Sequence, residues 1–547
     1  MILVFRSGDD TERNIMKASI SGLLFAVVMA TYFAADATHA AKILLIPADV
    51  NSHAMFFSRL GVDLAKLGHV VTVLATSSVR VPDFAADNVA NFTYLRYPVD
   101  KAMPFANSPE AAERLIAMAM TKWTLQRIRI IGEYTAEVVR HAERDGTQLI
   151  DKFMKQIRDA RYDFAILDPI SCCYVIPYSL GIPYSTMSLP FYTARLFRVP
   201  RLSSFPNALI ASDPPTFLER LTSFVAERME VGILCDSAHL MKRYAPNRTV
   251  LDTAELIRRQ SLWLFIEDLS ISYPLPQMPN TVAVGDVMVG TKERPLSGRL
   301  QEFVSKSKRG VVIAAFGSYC DFFPPTVTQQ LCDAFTEATK RLGVSVVWKL
   351  KAEGFCQNDN ILILPWIPQY DLLADSRVKV FVSHAGFNSV IESVYHSKPL
   401  VLFPIGLDQP ANAAVAVSKG FAVRMDIGDF TSELLLANIE KLLADPTYGQ
   451  NAHLASAILR DRRDTAAQRV SAMIDDVIKH GDRHLRTGAF ELSTLQFSMF
   501  DIFAALVAAA VFALSAVVLC GCCVYRSCRR RRDLRVASSS QGKLKSQ

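Results

Sequence analysis

Short apolar runs of strand length, each followed by a helical pattern, recur through this chain and constrain its fold more than any other feature. The first run, residues 42–47, precedes a helical pattern that ends at Gly68, and residues 70–74 form the next run. A strand, a helix and a second strand at this spacing make a βαβ unit, which requires a parallel sheet. The sequence therefore predicts an α/β fold built on parallel sheets.

The pattern occurs in two halves, and 547 residues exceed what a single hydrophobic core accommodates. Residues 273–280 hold a cluster of prolines and polar residues that indicates a linker. We expect two Rossmann-like parallel-sheet domains facing a cleft. The expected segments of the body are an N-terminal domain at 41–272, a linker with the start of the second domain at 273–300, and a C-terminal domain at 301–480.

Both ends of the chain predict membrane targeting. Residues 1–40 contain a short apolar run and small residues before Ala41, as in a secretory signal peptide that starts at Met1 or Met16. Residues 502–525 carry no charge, and ~24 residues at ~1.5 Å each span a bilayer. A juxtamembrane segment, residues 481–501, precedes this transmembrane helix.

An arginine cluster begins the tail at residues 526–547 and predicts that the tail is cytosolic. Lys543 and Lys545 resemble a dilysine retrieval signal. We therefore expect a single-pass type I protein of the endoplasmic reticulum membrane with a luminal body. Asn91 and Asn247 begin sequons for N-glycosylation, which this orientation would expose to the modifying enzymes.

The net charge limits the classes of partner, and the compartment limits the redox state of the cysteines. The net charge is +7, and the tail alone holds eight basic residues and one acidic residue. The body is therefore near neutral, which argues against a nucleic-acid partner. The luminal compartment permits disulfides, but the sequence leaves the pairing of the six cysteines of the body open.

Residues 366–412 collect polar groups at the ends of predicted strands and the beginnings of predicted helices. Free N–H groups at such helix beginnings bind phosphates. Trp366 offers a flat face to a base, and Glu392 offers oxygens to ribose hydroxyls. Taken singly, a tryptophan is usually core and a glutamate usually faces water. The predicted phosphate cradle contains no lysine, and its members are Gly317, Ser318, His384, Gly386, Asn388 and Ser389.

Together these residues resemble the signature of the UDP-glycosyltransferases. The signature positions are Trp366, Gln369, His384, Gly386, Asn388, Ser389, Glu392, Pro404, Asp408, Gln409 and Asn412. The linker and the membrane end are also similar to those of the membrane-bound, animal-type members. Phe387 and Ala385 depart from the residues that many members have there, but neither departure removes a polar contact.

The resemblance implies a GT-B fold and inverting transfer from a UDP-sugar, which is a co-substrate, with no metal and no other cofactor. It implies that Trp366 stacks on uracil with Gln369 beside it, and that Glu392 holds the ribose. Asp408 and Gln409 would contact the sugar. The diphosphate would lie against Ser318, His384, Asn388 and Ser389, with Gly386 allowing close approach.

His53 is the predicted general base, and Asp168 its partner. An acceptor hydroxyl needs a base as it attacks the anomeric carbon, and an imidazole suits that task near neutral pH. His53 follows the first strand and Asp168 ends another, as the His–Asp pair of the family requires. From pattern alone, a histidine there is more often a cap or a surface residue.

Two further hypotheses remain open. One is transfer to a membrane lipid instead of a small lipophilic acceptor. The other is a non-catalytic membrane scaffold that binds a UDP-sugar. A dehydrogenase is disfavoured because no Gly-x-Gly-x-x-Gly follows a strand. The sequence names neither the sugar nor the acceptor, and it leaves a homo- or hetero-oligomer open.

Overall fold

The computed structural model divides the chain into one unit that ends at Leu485 and a second that begins at Arg486. It describes residues 40–79, 89–98, 113, 116–117, 124–189, 216–218, 221, 235, 238–274, 277–317, 323–351 and 356–544, without the side chains of 124–132, 134–135, 494 and 537–544. The expected signal peptide and most of residues 190–250 therefore lie outside the described residues.

The first sheet has seven parallel strands in the order β3-β2-β1-β4-β5-β6-β7. Its central strands are buried on both faces, as parallel strands covered by helices are. The strands are β1 (Lys42–Ile46), β2 (Val70–Thr76), β3 (Phe92–Tyr97), β4 (Phe164–Leu167), β5 (Tyr184–Ser188), β6 (Leu262–Phe265) and β7 (Thr281–Ala283).

The second sheet has six parallel strands in the order β10-β9-β8-β11-β12-β13. Aliphatic and aromatic side chains of β8 and β11 are fully buried and form the centre of this half. The strands are β8 (Val311–Ala315), β9 (Ser345–Lys349), β10 (Ile361–Leu364), β11 (Val378–Ser383), β12 (Leu400–Leu402) and β13 (Ala422–Arg424).

Helices connect the strands of both sheets. Those of the first half are α1 (Asn51–Lys66), α2 (Thr124–Ala160), α3 (Val175–Leu180), α4 (Ala238–Tyr244) and α5 (Thr253–Arg258). Those of the second half are α6 (Gly298–Lys306), α7 (Pro325–Arg341), α8 (Gln369–Ala374), α9 (Phe387–Tyr395), α10 (Gln409–Ser418), α11 (Ser432–Ala444), α12 (Pro446–Arg460) and α13 (Ala466–His480).

Helix α13 returns from the second half and packs on α1 and β7 of the first. His69 Nε2 lies 2.7 Å from Ser471 Oγ, and the Arg469 guanidinium donates to the carbonyl of Ala283 at 2.8 Å. Thr281–Ala283, which the sequence places in the linker, is the last strand of the first sheet. The last helix of the second half thus packs against the first sheet and holds the two halves together.

The structure adds strands that the sequence patterns did not separate. β3 lies at an edge of the first sheet with mostly exposed and half-buried residues, and β6, β7 and β13 have three or four residues each. β5 is rich in Ser and Thr instead of forming an apolar run. It also pairs the cysteines that the sequence left open. Cys172 is bonded to Cys235, and Cys332 to Cys356.

The second unit contains α14 (Thr494–Phe497) and the long helix α15 (Phe500–Leu544). Phe500–Val536 is the one helix among the described residues that is long and apolar enough to cross a membrane. The helix continues past the expected boundary at residue 525 into the arginine-rich tail.

Candidate active site

Each sheet has one point at which its strand order changes direction. That point lies between β1 and β4 in the first sheet and between β8 and β11 in the second. Open parallel sheets bind ligands at the carboxyl ends of the strands at such a point. His53 and Asp168 follow β1 and β4, while Gly317 and His384 follow β8 and β11. The residues singled out in the sequence therefore lie at the switch points of both sheets.

His53 and Asp168 form a close pair. His53 Nδ1 lies 2.6 Å from Asp168 Oδ2, and the Asp168 side chain is fully buried while that of His53 is 31% exposed. A carboxylate only accepts hydrogen bonds, so Nδ1 carries the proton and Nε2 carries the lone pair. No hydrogen bond to Nε2 occurs among the described residues. This nitrogen is therefore the one available to accept a proton.

Asp168 is held in place by its own backbone and its surroundings. Its N–H donates to the Ile46 carbonyl of the neighbouring strand at 2.9 Å. Its second carboxylate oxygen accepts from the Ile170 N–H at 2.9 Å, where it caps a short 3-10 turn. Asp168 and Pro169 therefore form a turn, as this residue pair favours, and the turn holds in place the carboxylate that orients the His53 imidazole.

The charge environment of His53 draws on both halves of the chain. Burial lowers its pKa, but the charge of Asp168, their hydrogen bond and the charge of Asp408 outweigh burial and raise the pKa above 6.5. Burial also raises the pKa of Asp408, against hydrogen bonds from Asn412 and backbone N–H groups and the charge of His53. The predicted base and a predicted sugar contact therefore act on each other electrostatically.

Asp408 precedes α10 and is tied to the loop that follows β11. Asn412 Nδ2 donates to Asp408 Oδ2 at 2.7 Å and to the Ala385 carbonyl at 3.0 Å. Gln409 Oε1 accepts from the N–H groups of Ile405 and Gly406 at 2.8 and 3.1 Å. Gln409 therefore shapes its own loop, which leaves its amide nitrogen for a ligand.

His384 is buried at the end of β11. Burial and the charge of Lys349 lower its pKa to about 4, although a hydrogen bond to the backbone of Ala315 opposes this. A Cβ atom at Gly317 or Gly386 would lie 2.8 or 2.6 Å from His384 Nε2. Both positions therefore require glycine, because their backbones lie against the neutral imidazole.

The first turn of α9 follows directly and contains Asn388 and Ser389. Gly386 is its N-cap and provides no side-chain cap, so the first N–H groups of the helix remain for a ligand. Asn388 Oδ1 is buried and lacks a hydrogen-bond partner among the described residues. The free N–H groups suit an anion, as the sequence predicted, whereas Asn388 Oδ1 is an acceptor and needs a donor such as a hydroxyl.

Three predicted nucleoside contacts lie together beside this helix. Trp366 is 65% exposed in the loop before α8. Gln369 Nε2 donates to Glu392 Oε2 at 2.7 Å and to Ser389 Oγ at 3.4 Å. Burial raises the pKa of Glu392 to about 7, the Gln369 hydrogen bond opposes this, and the charge of Asp371 adds to it. The pair leaves one Glu392 oxygen for a further hydrogen bond.

Lys349 is the residue that sequence reasoning missed, because it expected a cradle without lysine. It ends β9, and its Nζ donates to the Gly317 carbonyl at 3.0 Å and lies 4.8 Å from the Trp366 ring centroid. Its position at the end of a buried strand next to β8 was the available signal. The Lys349 ammonium group therefore contacts both Trp366, the predicted base-stacking residue, and Gly317 in the predicted phosphate cradle.

Aromatic side chains connect the two switch points. Phe387, the first residue of α9, lies 6.2 Å from Phe56 between ring centroids. Phe56 stands three residues after His53 on α1, and both rings are almost fully buried. The Phe387 backbone also acts to lower the pKa of Asp408. Phe387, noted as a departure from the family pattern, thus contacts both halves.

Two strained backbone positions border the site in the second half. Ala385 and Leu407 have φ of 65° and 58°, a left-handed conformation that non-glycine residues rarely adopt. They stand next to His384 and Asp408, respectively. Such strain is often found at ligand sites, where the surrounding structure holds it in place.

Ser318 and the two sequons complete the set of predicted positions. Ser318 lies outside the described residues, so its place relative to His384 is not described. Asn91 and Asn247 are both exposed.

A buried group of possible metal ligands lies in the first half, at Asp49, His141 and Asp145, with ligand atoms within 4.8 Å of one another. Thr76 and Ser78 hydrogen-bond to Asp49, and His141 Nε2 lies 3.5 Å from Asp145 Oδ2. The cluster is accounted for by these polar contacts and we assign it no ligand.

Comparisons with known proteins agree with this geometry. The family model "UDP-glucoronosyl and UDP-glucosyl transferase" matches residues 41–533. A guinea pig (Cavia porcellus) protein, UDP-glucuronosyltransferase 2A3, is 27% identical over 514 residues, which cover 91% of this chain and 96% of that protein. The mouse (Mus musculus) 2-hydroxyacylsphingosine 1-beta-galactosyltransferase is 28% identical over 491 residues, 87% of each chain.

The fold agrees with a solved structure of low sequence identity. The crystal structure of Medicago truncatula UGT71G1 complexed with UDP-glucose superimposes with a TM-score of 0.55 at 16% identity, covering 81% of this chain and all of that one. The two parallel sheets described above form the GT-B fold. The expected fold class is confirmed.

Proposed function

Since the chain belongs to the family of UDP-glucuronosyl and UDP-glucosyl transferases and is a UDP-glycosyltransferase, we propose that His53 is the general base of an inverting transfer. A hexose or hexuronic acid passes from a UDP-sugar to a hydroxyl of a small lipophilic acceptor. The observation that carries the proposal is the pair of His53 with fully buried Asp168 at the switch point of the first sheet, within the electrostatic reach of Asp408.

The reaction proceeds in one displacement. The acceptor hydroxyl gives its proton to His53 Nε2 as its oxygen attacks the anomeric carbon. The bond from that carbon to the β-phosphate oxygen breaks, and UDP leaves with the bonding electrons. Asp168 stabilises the imidazolium, since its carboxylate lies 2.6 Å from Nδ1. Attack from the side opposite to UDP converts an α-linked donor into a β-glycoside.

The second half holds the donor in this proposal. Trp366 stacks on uracil beside Gln369, and Glu392 accepts hydrogen bonds from the ribose. Asp408 and Gln409 orient the sugar. The diphosphate binds against His384, the first turn of α9 with Asn388 and Ser389, and Ser318. Support comes from the hydrogen bonds that gather Gln369, Ser389 and Glu392 in one cluster.

We propose that the donor diphosphate is neutralised without a metal ion. The cationic Lys349, the neutral imidazole of His384 and the free N–H groups of α9 converge where leaving-group charge develops. Transfer should then survive chelation, and rates measured with EDTA and with added Mg²⁺ should agree within about twofold.

We also propose that residues 41–272 bind the acceptor and that residues 301–480 bind the donor. The body faces the lumen of the endoplasmic reticulum, and the tail faces the cytosol. One apolar helix followed by arginines supports this orientation. Sensitivity of attached glycans at Asn91 and Asn247 to a glycan-removing enzyme, read as a mass shift, tests it.

A membrane lipid is the second candidate acceptor. The favouring observation is that a relative named as a 2-hydroxyacylsphingosine galactosyltransferase matches as well as a glucuronosyltransferase does. The described features of the second half concern the donor and select neither acceptor, so the acceptor panel below decides between them.

The deciding experiment crosses UDP-glucose, UDP-glucuronate, UDP-galactose and UDP-N-acetylglucosamine with phenols, steroids and a ceramide. Products are detected by mass spectrometry, and the anomeric configuration is read by NMR. We expect a β-glycoside from at least one pair. An α-linked product would reject inversion. UDP binding with no transfer to any acceptor would favour the scaffold.

A further inference from the structure

Helix α15 carries four cysteines near the end of its apolar part, and the active-site chemistry uses none of them. Cys520, Cys522, Cys523 and Cys528 are exposed, and they are four of the five unpaired cysteines in the described part of the chain. The fifth, Cys173, is buried in the body. The structure therefore leaves these four thiols outside the protein interior and encloses the fifth.

The charges at both ends of the apolar segment set the depth of these thiols. Asp501 precedes the uncharged segment and Arg526 follows it. Counted from Ile502 at ~1.5 Å per residue, Cys520 lies ~27 Å along the helix and Cys523 ~32 Å. A bilayer core is ~30 Å thick, so these thiols lie at its far boundary. Cys528, at ~39 Å, lies among head groups.

The four thiols do not form one face of the helix. At ~100° per residue, Cys522, Cys523 and Cys528 are turned from Cys520 by ~200°, ~300° and ~80°. At least one thiol therefore faces lipid however the helix is rotated. A seam of small residues for helix pairing would require a single face instead.

The neighbouring charges favour an anionic reaction partner at this depth. Arg526 and Arg529 flank Cys528, and three more arginines follow at 530–532. Arginines beside a membrane surface attract phosphate-bearing groups. On the cytosolic side the surrounding reductants keep thiols reduced. This placement rests on the orientation proposed above.

We infer that this cluster, Cys520, Cys522, Cys523 and Cys528, is a site of S-acylation by a long-chain acyl-coenzyme A. A cysteine sulfur attacks the acyl carbonyl, the thioester bond to coenzyme A breaks, and the coenzyme A thiol leaves with the proton. A new thioester joins the chain to the helix, and no oxidant or reductant is consumed. Juxtamembrane cysteines are typical acceptors of such chains, and each chain extends into the lipid beside the helix.

The test uses the full chain in membranes of a eukaryotic cell. Free thiols are blocked, thioesters are cleaved with hydroxylamine, and the released thiols receive a mass tag. We expect one to four hydroxylamine-dependent tags on the wild type. Replacing all four residues, by Cys520→Ser, Cys522→Ser, Cys523→Ser and Cys528→Ser together, should remove every tag. Cys173→Ser is the matched control and should keep the wild-type number.

Three results would overturn the inference. They are a wild type without tags, tags that persist in the fourfold variant, and tags that follow a reductant instead of hydroxylamine. The last result would indicate a disulfide, and Cys520 and Cys523, which are three residues apart, could form it. Transfer activity and glycan removal are measured on the same preparation. Active, glycosylated protein without tags rejects acylation alone, whereas tagged, inactive protein rejects the proposed function alone.

Discussion

The two switch points each hold a histidine, and the two histidines have opposite acid–base behaviour. His53 pairs with a carboxylate and has a raised pKa, whereas His384 lies buried beside Lys349 and has a pKa of about 4. The same side chain therefore has a different pKa in the two halves because its charged neighbour differs. In the proposed mechanism the first half accepts a proton, and the second half faces an anion without becoming a charged base.

The largest expected effect comes from removing the base. His53→Ala should lower the rate of transfer about 10²–10⁴-fold, the usual contribution of general base catalysis. The affinity for UDP should change less than about twofold, because the proposed donor contacts lie in the other half. Titration with UDP and initial rates measure both quantities. His239→Ala, an exposed histidine on α4, is the control, and wild-type turnover by His53→Ala would reject the base.

Asp168 gives the next effect and a distinctive pH signature. Catalysis needs neutral His53, so the rate should rise with pH through the raised pKa, with the acidic limb above pH 6.5. Asp168→Asn removes the charge that raises this pKa, so the limb should move to lower pH while the plateau rate falls at least about tenfold. Profiles of kcat/KM against pH measure both.

The matched control for that profile is Asp163→Asn at the amino end of the same strand, where the carboxylate binds the Lys42 N–H. This change leaves the surroundings of His53 intact, so the limb should stay in place. If the acidic limb did not move in Asp168→Asn, the His53–Asp168 pair would not be the group whose protonation controls transfer.

The sequence predicts the site residues of the second half better than those of the first. In the second half, nearly every donor residue falls within one continuous stretch, so a sequence pattern finds it. In the first half, His53 and Asp168 are 115 positions apart, and only the adjacency of β1 and β4 brings them together. A motif search cannot express that adjacency, so the pairing depended on family resemblance.

Lys349 shows the complementary limit. It belongs to no motif, because its role comes from where β9 ends relative to β8 and from the exposed ring of Trp366 above it. Strands β3, β5, β6, β7 and β13 were missed for a related reason. β3 and β7 lie at edges, and β6 and β13 have only four and three residues. β5 carries Ser185, Thr186 and Ser188 in place of an apolar run, so none of these strands gives a clear pattern. Disulfide pairing likewise depends on tertiary proximity.

Lys349→Met tests whether the second half is built to face an anion. UDP should bind roughly tenfold more weakly, a loss of about 1.4 kcal/mol, because a cation near the diphosphate is removed. Uridine, which lacks the diphosphate, should lose less. The pKa of His384 should rise, since the charge of Lys349 lowers it. Calorimetry with both ligands measures the difference.

Lys340→Met, at an exposed position on α7, is the control for that loss of charge. It should leave both affinities unchanged. If Lys349→Met lowered the affinities for UDP and uridine equally, Lys349 would act on Trp366 and the base instead of on the phosphates.

Glu392 predicts a smaller effect that depends on pH. Its pKa is about 7, and ribose hydroxyls favour the ionised form as an acceptor. Binding of UDP-glucose should therefore release a proton near pH 7, and affinity should fall as the pH falls below 7. Calorimetry in buffers of different ionisation enthalpy measures the release. Glu392→Gln should abolish it, and release that persists would place the proton elsewhere.

The contact between Phe56 and Phe387 predicts the smallest effect and tests whether the two halves act as one site. A cycle of Phe56→Leu, Phe387→Leu and the double variant should give a coupling of about 0.5–1.5 kcal/mol in kcat. UDP affinity should stay within about twofold of wild type. The reason is positional, since Phe56 shares α1 with His53 and Phe387 is the first residue of α9, which carries Asn388 and Ser389. The pair Phe316 and Phe323, 5.2 Å apart inside the second half, is the matched control, and Phe323→Leu should lower stability without coupling to Phe56. If the two substitutions had additive effects on kcat, the contact between Phe56 and Phe387 would contribute packing only. The packing of α13 on the first half would then be what aligns His53 with the donor loops.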